Sequence, residues 1–581
     1  MLLQSSHSSA LTAQNQPAKS RKRSLLRTSS LAFILVLLSC LILTGCGGAP
    51  SPPPGGGIPG TFTLTLSTPY LALYPGATQS LQVQAVPHNG FQGQVSVSFS
   101  GLPSGITLSP SSFNLSAGDS GTVVFTAALN AATEHFTPYD YDIGNDSASF
   151  PVAVSGASGV VRSAALLTLV VSLQNPSFVP TAVDLPVVHI TTQGGAPIDS
   201  TETYVSGTLV ISTDLAGANQ LYSGTMQIKG RGHSTWWMPK KPYRIKLDAK
   251  ASLLGMPSDK DWNLLANYND KTLMHNAIAF ELSRRLGLPW TPRSAFVEVF
   301  LNGRYDGNYQ LTEKIKAGTS RVNITRMADT DTSGDALTGG YLMEIDERLD
   351  GAFWFRTNRN LPIVIQDPDP AADAQHTYIS SYVMQAEDAL YSNSFTDPAL
   401  GWPAYFDAAT LINWYLVNEF TASQDSIFFS SCWLYKDRLN PLLYMGPVWD
   451  FDISMGNVNY STAVNPTGWW VRNGPWYSRF FQDPNFAALT VVRWNEVRAT
   501  QLDTMLAYVD QTALALEQSQ QNNFQRWPIL GELVWPNSEC AGSYQGEVNF
   551  LKSWLTQRLA WMDSQFNPGA AGASARATSR R

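Results

Sequence analysis

Charge is scarce in this sequence. Only 14% of its 581 residues are Asp, Glu, Lys or Arg, against about 25% in ordinary soluble proteins. A disordered acidic or basic chain and a coiled coil are excluded, and there is no collagen-like repeat. Histidine is also sparse. The seven residues (His7, His88, His135, His189, His233, His275 and His376) are scattered with no pair at ligand spacing, which disfavours a zinc finger or a zinc protease. Cysteine numbers four. Cys432 and Cys540, the two outside the N-terminal segment, could form one disulfide or be two small buried hydrophobes. Aromatics, by contrast, are plentiful: 17 Trp, 22 Tyr and 26 Phe, within a hydrophobic fraction of 44%. That is material for a sizeable core, and the length calls for several domains.

The formal net charge of −7 is unevenly spread. Lys19, Arg21, Lys22, Arg23 and Arg27 stand in an N-terminal segment without acids, and Arg576, Arg580 and Arg581 close the chain. The body between these ends is therefore more acidic than the whole. It repels a polyanion overall, so no nucleic-acid partner is expected. The basic cluster precedes an apolar run, Leu31–Leu43, which ends in Thr44-Gly45-Cys46. This order is that of a secretory signal, and the run falls short of the ~20 residues of a secure membrane span. The ending Leu43-Thr44-Gly45-Cys46 resembles the bacterial lipobox, which implies lipidation of Cys46 after cleavage; an uncleaved membrane anchor is the alternative. Either way the body lies outside the cytoplasm, anchored to a membrane at the cell surface or in the periplasm.

Residues 47–60, GGAPSPPPGGGIPG, form a Gly/Pro tether. Short alternating runs follow, at 62–67, 80–86, 94–101, 121–129 and 164–173, punctuated by turn residues. They predict an antiparallel β-sandwich, and the stretch PGATQSLQVQAVPHNGFQGQVSVSFSGLPSGITLSP resembles immunoglobulin-like modules of bacterial surface proteins. From about Leu185 strands and helices mix. SGTLVISTD, GTMQIKGRG and KPYRIKLD read as strands, and FVEVFLNGRYDGNYQLTEKI as a hairpin turning at Asn302-Gly303. Asp270 is placed to cap a helix over KTLMHNAIAFELSRRLG. Strands first and helices later describe an α+β domain with a sheet-rich and a helical part. The organisation expected is a signal over 1–45, a tether over 46–60, an all-β immunoglobulin-like sandwich over 61–175, an α+β domain over 183–567 and a disordered tail over 568–581.

The segment QDSIFFSSCWLYKDRLNPLLYMGPVWDFD, residues 424–452, is the richest in chemistry. A strand–turn–strand carries the chain from Asp425 to Asp450 and Asp452, and strand alternation would put the last two on one face. Acids in an apolar run are costly to bury without a cation or hydrogen bonds. Paired carboxylates suit Mg²⁺, and a third nearby can serve a hydroxyl nucleophile, the requirements of phosphoryl transfer. The bland alternative is that these acids cap strands or pair with Arg.

GRGHSTWWMPKKPYRIKLD, DWNLLANYNDKTLMHNAIAFELSRRLGL, VFLNGRYDGNYQLTEKI, GGYLMEIDE, MGPVWDFD and RWPILGELVWPN occur in this order and together resemble the CotH family of spore-coat-protein-H-like atypical kinases. The resemblance implies a two-lobed, divergent protein-kinase-like fold that uses ATP with Mg²⁺ or Mn²⁺ to phosphorylate protein hydroxyls. Carried over, Asp425 matches the catalytic base and Asp450 the metal-binding aspartate, with Asp452 a second, more variable acid. Lys246 is the choice for the lysine on the α/β-phosphates and Glu281 for its ion-pair partner. Arg231, with Gly232, could approach phosphates. An exposed strand lysine, a solvated helix acid and an ordinary strand turn are the respective alternatives. Ser430 or Ser431 stands where typical kinases carry a metal-binding Asn, which leaves open a non-catalytic surface adhesin or scaffold that binds a protein partner. A metal-dependent hydrolase lacks a recognisable base nearby.

Overall fold

A computed structural model of the protein describes residues 60–129, 131 and 147–568, all within one compact unit, Gly60–Arg581. The signal, Cys46, nearly all of the tether and nearly all of the tail lie outside these residues. Among the described residues no helix is long and apolar enough to cross a membrane.

The N-terminal part is β-rich. Nine strands, β1 (Thr61–Leu66), β2 (Tyr70–Leu73), β3 (Thr78–His88), β4 (Gln94–Ser100), β5 (Ile106–Ser109), β6 (Ser112–Ser116), β7 (Ser120–Ala127), β8 (Ser147–Ser158) and β9 (Val161–Ser172), form two sheets ordered β1-β3-β7-β5 and β2-β9-β8-β4-β6. Period-two alternation builds them. In β3, Leu81, Val83 and Ala85 are buried while Ser80, Gln82 and Gln84 face water. Inward residues of both sheets, among them Leu81, Val97, Phe125, Val154 and Leu169, share one core.

A closed barrel follows: β10 (Val187–Thr192), β11 (Val205–Ser212), β12 (Gln220–Gly230), β13 (Tyr243–Ala251), β14 (Asp259–Leu265), β15 (Ser294–Leu301) and β16 (Arg304–Glu313), ordered β10-β11-β12-β13-β14-β16-β15 and closed by parallel pairing of β10 with β15. Ile228, Ile245, Leu247, Trp262, Val299 and Leu311 help fill its interior. On β13 the alternation sends Tyr243, Ile245 and Leu247 inward and turns Arg244 and Lys246 out. The hairpin β15–β16 turns at Asn302 and Gly303 with φ of 51° and 78°, the pair of left-handed residues that a tight two-residue turn requires.

Beyond the barrel, β17 (Tyr341–Ile345), β18 (Trp354–Arg356), β19 (Pro362–Asp367), β20 (Cys432–Lys436) and β21 (Leu443–Met445) make a sheet ordered β18-β19-β17-β20-β21, surrounded by helices. The helix Ala408–Thr421 is buried at every position from Thr410 to Thr421; it is largely apolar, and its polar members Asn413, Asn418 and Glu419 are hydrogen-bonded. Asp407 caps its start, accepting from the Thr410 N–H at 2.7 Å. Near its end Glu419 meets Arg558 of the last helix, Tyr544–Phe566, at 2.6 Å with both side chains fully buried. Glu419 also accepts the backbone N–H groups of Trp470 and Arg472, and Arg558 donates to the carbonyls of Glu419 and Gly468. One ion pair thus ties the central helix, the last helix and the 466–472 loop.

The helix expected from Lys271 begins only at His275. Asp270 is the reason: its carboxylate accepts from the Thr272 and His275 N–H groups and holds residues 271–274 in a turn. Cys432 and Cys540 are both free thiols.

Removing one partner of a buried ion pair strands the other charge, at a cost of about 3–5 kcal/mol. Arg558→Met is expected to destabilise the protein by about that much in chemical denaturation, and Arg558→Lys, which keeps the charge but loses the planar fork, by less.

Candidate active site

Asp425 is placed by the end of the buried helix. Ala422 adopts a left-handed conformation, φ 44°, and turns the chain into the short 3₁₀ turn Gln424–Ser426. The Gln424 N–H donates to the Ile453 carbonyl at 2.9 Å, which joins this turn to the segment carrying Asp450 and Asp452. The Phe429 N–H closes on the Asp425 carbonyl, and the Cys432 thiol donates to the same carbonyl and to that of Ser430.

The Asp450–Asp452 segment is not a strand, so strand alternation is not what brings its two acids together. Asp450 takes a left-handed backbone, φ 68°, a conformation uncommon outside glycine and one that collects at functional sites. Side chains from elsewhere hold the segment instead of a strand ladder. Asn276 Oδ1 accepts the Phe451 N–H at 2.9 Å, Asn457 Nδ2 donates to the Asp452 carbonyl at 2.7 Å, and Ser431 Oγ donates to Asp450 Oδ2 at 3.2 Å.

Asp425, Asp450 and Asp452 line one cleft of about 510 Å³, and so does Arg231. Arg231 comes from the turn after β12, where Gly232 has φ +83° and any Cβ would strike Thr235 Oγ1; its guanidinium lies over the Trp449 ring. Lys246 and Glu281 are not brought there. Lys246 is exposed on the outer face of β13, in register with Asp261 of β14. Glu281 accepts from Arg284 and Arg285 of its own helix, at 3.0 and 2.7 Å. In their place the cleft presents Lys314, just past β16, with Lys229 and Arg244 on the barrel side, and Glu344, Asp346 and Arg348 at and beyond the end of β17. The sequence did hold a signal for Glu344 and Asp346: two acids two apart in an apolar run, as at Asp450 and Asp452. Nothing local distinguishes Lys314 from Lys316, two residues on, which pairs with Asp259 and Asp261.

The electrostatics of the cleft are those of like charges crowded out of water. Burial first, then the Asp450 charge, pushes Asp425 up to about 7, against the pull of Arg348. Glu344 is raised to about 8 by burial and by Asp346 and Asp450. Burial and Asp450 hold Asp452 well above the carboxylate range. On the barrel side the signs reverse: burial and the neighbouring Arg244 bring Lys314 down to about 8 and also lower Lys229. The Arg244 Nε is buried without a partner. Arg348 Nη1 donates to Ser430 Oγ at 2.5 Å, next to Asp425. At the edge of the cleft His233 Nε2 meets Asp350 Oδ2 at 2.8 Å.

The acids are hard oxygen donors that repel one another, the donor chemistry a divalent cation satisfies. Among the described residues no three His, Cys, Asp or Glu side chains converge as a ready-made metal cage. Mg²⁺ is commonly held by one or two carboxylates and completed by water and substrate phosphates, and Asp450 and Asp452 are the pair that could hold it. The cationic trio Lys229, Arg244 and Lys314 suits a polyanion for the converse reason.

Among solved structures, the chain shows similarity to the E. coli chaperone DraB (14% identity over 32% of this chain and 93% of that one, TM-score 0.16). It shows similarity also to a Porphyromonas gingivalis W83 protein of unknown function (11% identity, 42% and 98% coverage, TM-score 0.15). Scores this low establish no shared fold. No curated protein matches the chain significantly. The family model described as CotH kinase protein matches residues 227–562, more than half of the chain and the whole span from β12 through most of the last helix. Asp425, Asp450 and the cationic barrel wall all fall inside that match, and the chain belongs to the CotH kinase family.

Proposed function

We propose that this protein is an exported, lipid-anchored protein kinase that transfers the γ-phosphoryl group of ATP to Ser, Thr or Tyr hydroxyls, with a sandwich of immunoglobulin type as its spacer and a two-lobed kinase-like body. The observation that carries this reading is one cleft that brings the carboxylates of Asp425, Asp450 and Asp452 together with Lys229, Arg244 and Lys314 of its barrel side. Phosphoryl transfer demands little covalent chemistry of the protein. It is mostly positioning and charge stabilisation.

Asp450 and Asp452 would hold Mg²⁺ or Mn²⁺, which when bound neutralises charge on the β- and γ-phosphates. Lys314, Lys229 and Arg244 pair with the phosphate chain, and Arg231 draws its charge balance from Asp450 and Asp452 beside it. Asp425 accepts the proton of the acceptor hydroxyl and orients its oxygen. Arg348 lies close enough to draw Asp425 toward its charged form. Ser430 and Ser431 stand where a kinase of ordinary type has Asn, and each is already engaged, Ser430 by Arg348 and Ser431 by Asp450. That engagement is the observation that favours the second reading, a non-catalytic adhesin or scaffold.

With ATP and Mg²⁺ or Mn²⁺, the purified protein is expected to transfer label to itself or to a protein acceptor. Asp425→Asn should lower the rate by about 10²–10⁴-fold, the usual contribution of a positioned base, and Asp450→Ala should abolish transfer. Absence of both label transfer and nucleotide-dependent thermal stabilisation would leave the adhesin reading standing.

The two lysines separate cleanly. Lys314→Met should weaken ATP binding, read as a rise in KM of about tenfold, equivalent to about 1.4 kcal/mol; Lys246→Met should leave KM within about twofold. For location, Cys46→Ala is expected to release the protein from the membrane fraction and to remove its incorporation of labelled fatty acid.

A further inference from the structure

Asn269 stands directly behind the acidic side of the cleft, in the buried turn between β14 and the helix His275–Arg285. It is 1% exposed, and neither its Nδ2 nor its Oδ1 has a hydrogen-bond partner. Buried amides are ordinarily satisfied, so an orphan of this kind calls for an explanation. Its backbone, in contrast, is held hard. Asn457 Nδ2 donates both to the Asn269 carbonyl, at 3.1 Å, and to the Asp452 carbonyl, at 2.7 Å. Asn537 Nδ2 donates to the same Asn269 carbonyl and to Asn457 Oδ1, each at 2.7 Å. The side chains of Asn457 and Asn537 therefore fix residues 269 and 452 as neighbours.

We propose that Asn269 is a positioning residue: its side-chain amide orients the Asp452 carboxylate toward a divalent cation bound between Asp450 and Asp452. The Ser430 and Ser431 hydroxyls, committed to Arg348 and Asp450, leave that orienting role to Asn269. The amide is rigidly mounted, buried and uncommitted, so it is free to complete its hydrogen bond when Asp452 turns to a cation. The inference rests on the proposed role of Asp450 and Asp452, and its test separates the two claims.

Mn²⁺ alone, titrated into the purified protein and followed by the electron paramagnetic resonance of free Mn²⁺, gives the affinity without any turnover. Asn269→Ala is expected to raise the Mn²⁺ Kd by about tenfold, the lower end of what losing an outer-shell partner does. Asn269→Ser, which keeps a short donor, should recover part of that loss. Melting temperatures of both variants without Mn²⁺ should stay within a few degrees of the parent. Asp450→Ala serves as the reference in which binding disappears. If Asn269→Ala binds Mn²⁺ within twofold of the parent, the positioning role falls while the cation site stands. If both variants melt much lower without Mn²⁺, Asn269 is a structural residue and the proposal is wrong. If the parent itself binds no Mn²⁺, the cation site and the role of Asn269 fall together.

Discussion

The buried pair Glu419–Arg558 is the contact on which the helical part of this protein turns. Two ions withdrawn from water are tolerable only when every remaining donor and acceptor is used, and here they are used to fasten structure. Glu419 takes two backbone N–H groups of the 466–472 loop, and Arg558 takes carbonyls from that loop and from the helix itself. Four residues after Glu419 the chain enters the Ser423–Asp425 turn, and the indole N–H of Trp470, from the same loop, donates to the Ser423 carbonyl. The position of Asp425 is thereby inherited from an ion pair that never touches the cleft.

The cleft poses the opposite problem. There like charges crowd one another: most of the acids gather on the helical side, with Arg348 among them, and most of the bases on the barrel side, each set raised or lowered by burial and its neighbours. This partial segregation leaves one side of the cleft mainly acidic and the other mainly basic. It is what a ligand with a cation at one end and phosphates along its length would neutralise. The left-handed backbone of Asp450 belongs with this. A strand would have given Asp450 and Asp452 ladder partners; the conformation adopted instead gives both residues to the cleft, and the surrounding amides and carbonyls hold it in place.

Much of the architecture was legible because it depends on short-range patterns. Alternation in Leu81, Val83 and Ala85, or in Ile245 and Leu247, needs only a pleated strand with one wet face. Asn302-Gly303 dictates a tight turn. The segment around Asp450 resisted the same logic. Its apolar residues read as a strand, whereas Asn276 and Asn457 supply the hydrogen bonds that a neighbouring strand would have supplied. Asp270, expected to cap a helix from Lys271, spends its carboxylate on a turn instead, and the helix begins at His275 after Met274.

By itself, then, the sequence singled out Asp425, Asp450 and Asp452, three acids that line the cleft, because acids embedded in apolar runs are conspicuous and their order along the chain carries the CotH pattern. It determined the facing of Arg244 and Lys246 on one strand, but not which of the two the cleft reaches. Tertiary structure alone decided that Lys314 and Arg244 line the cleft while Lys246 faces solvent. It decided too that Glu281 is occupied by two arginines and that Asn269 stands beside Asp452. The reason is the same in each case. Lysines, glutamates and asparagines look alike in any local window, and only the closure of the barrel against the helices sets the distances at which their charges and amides act.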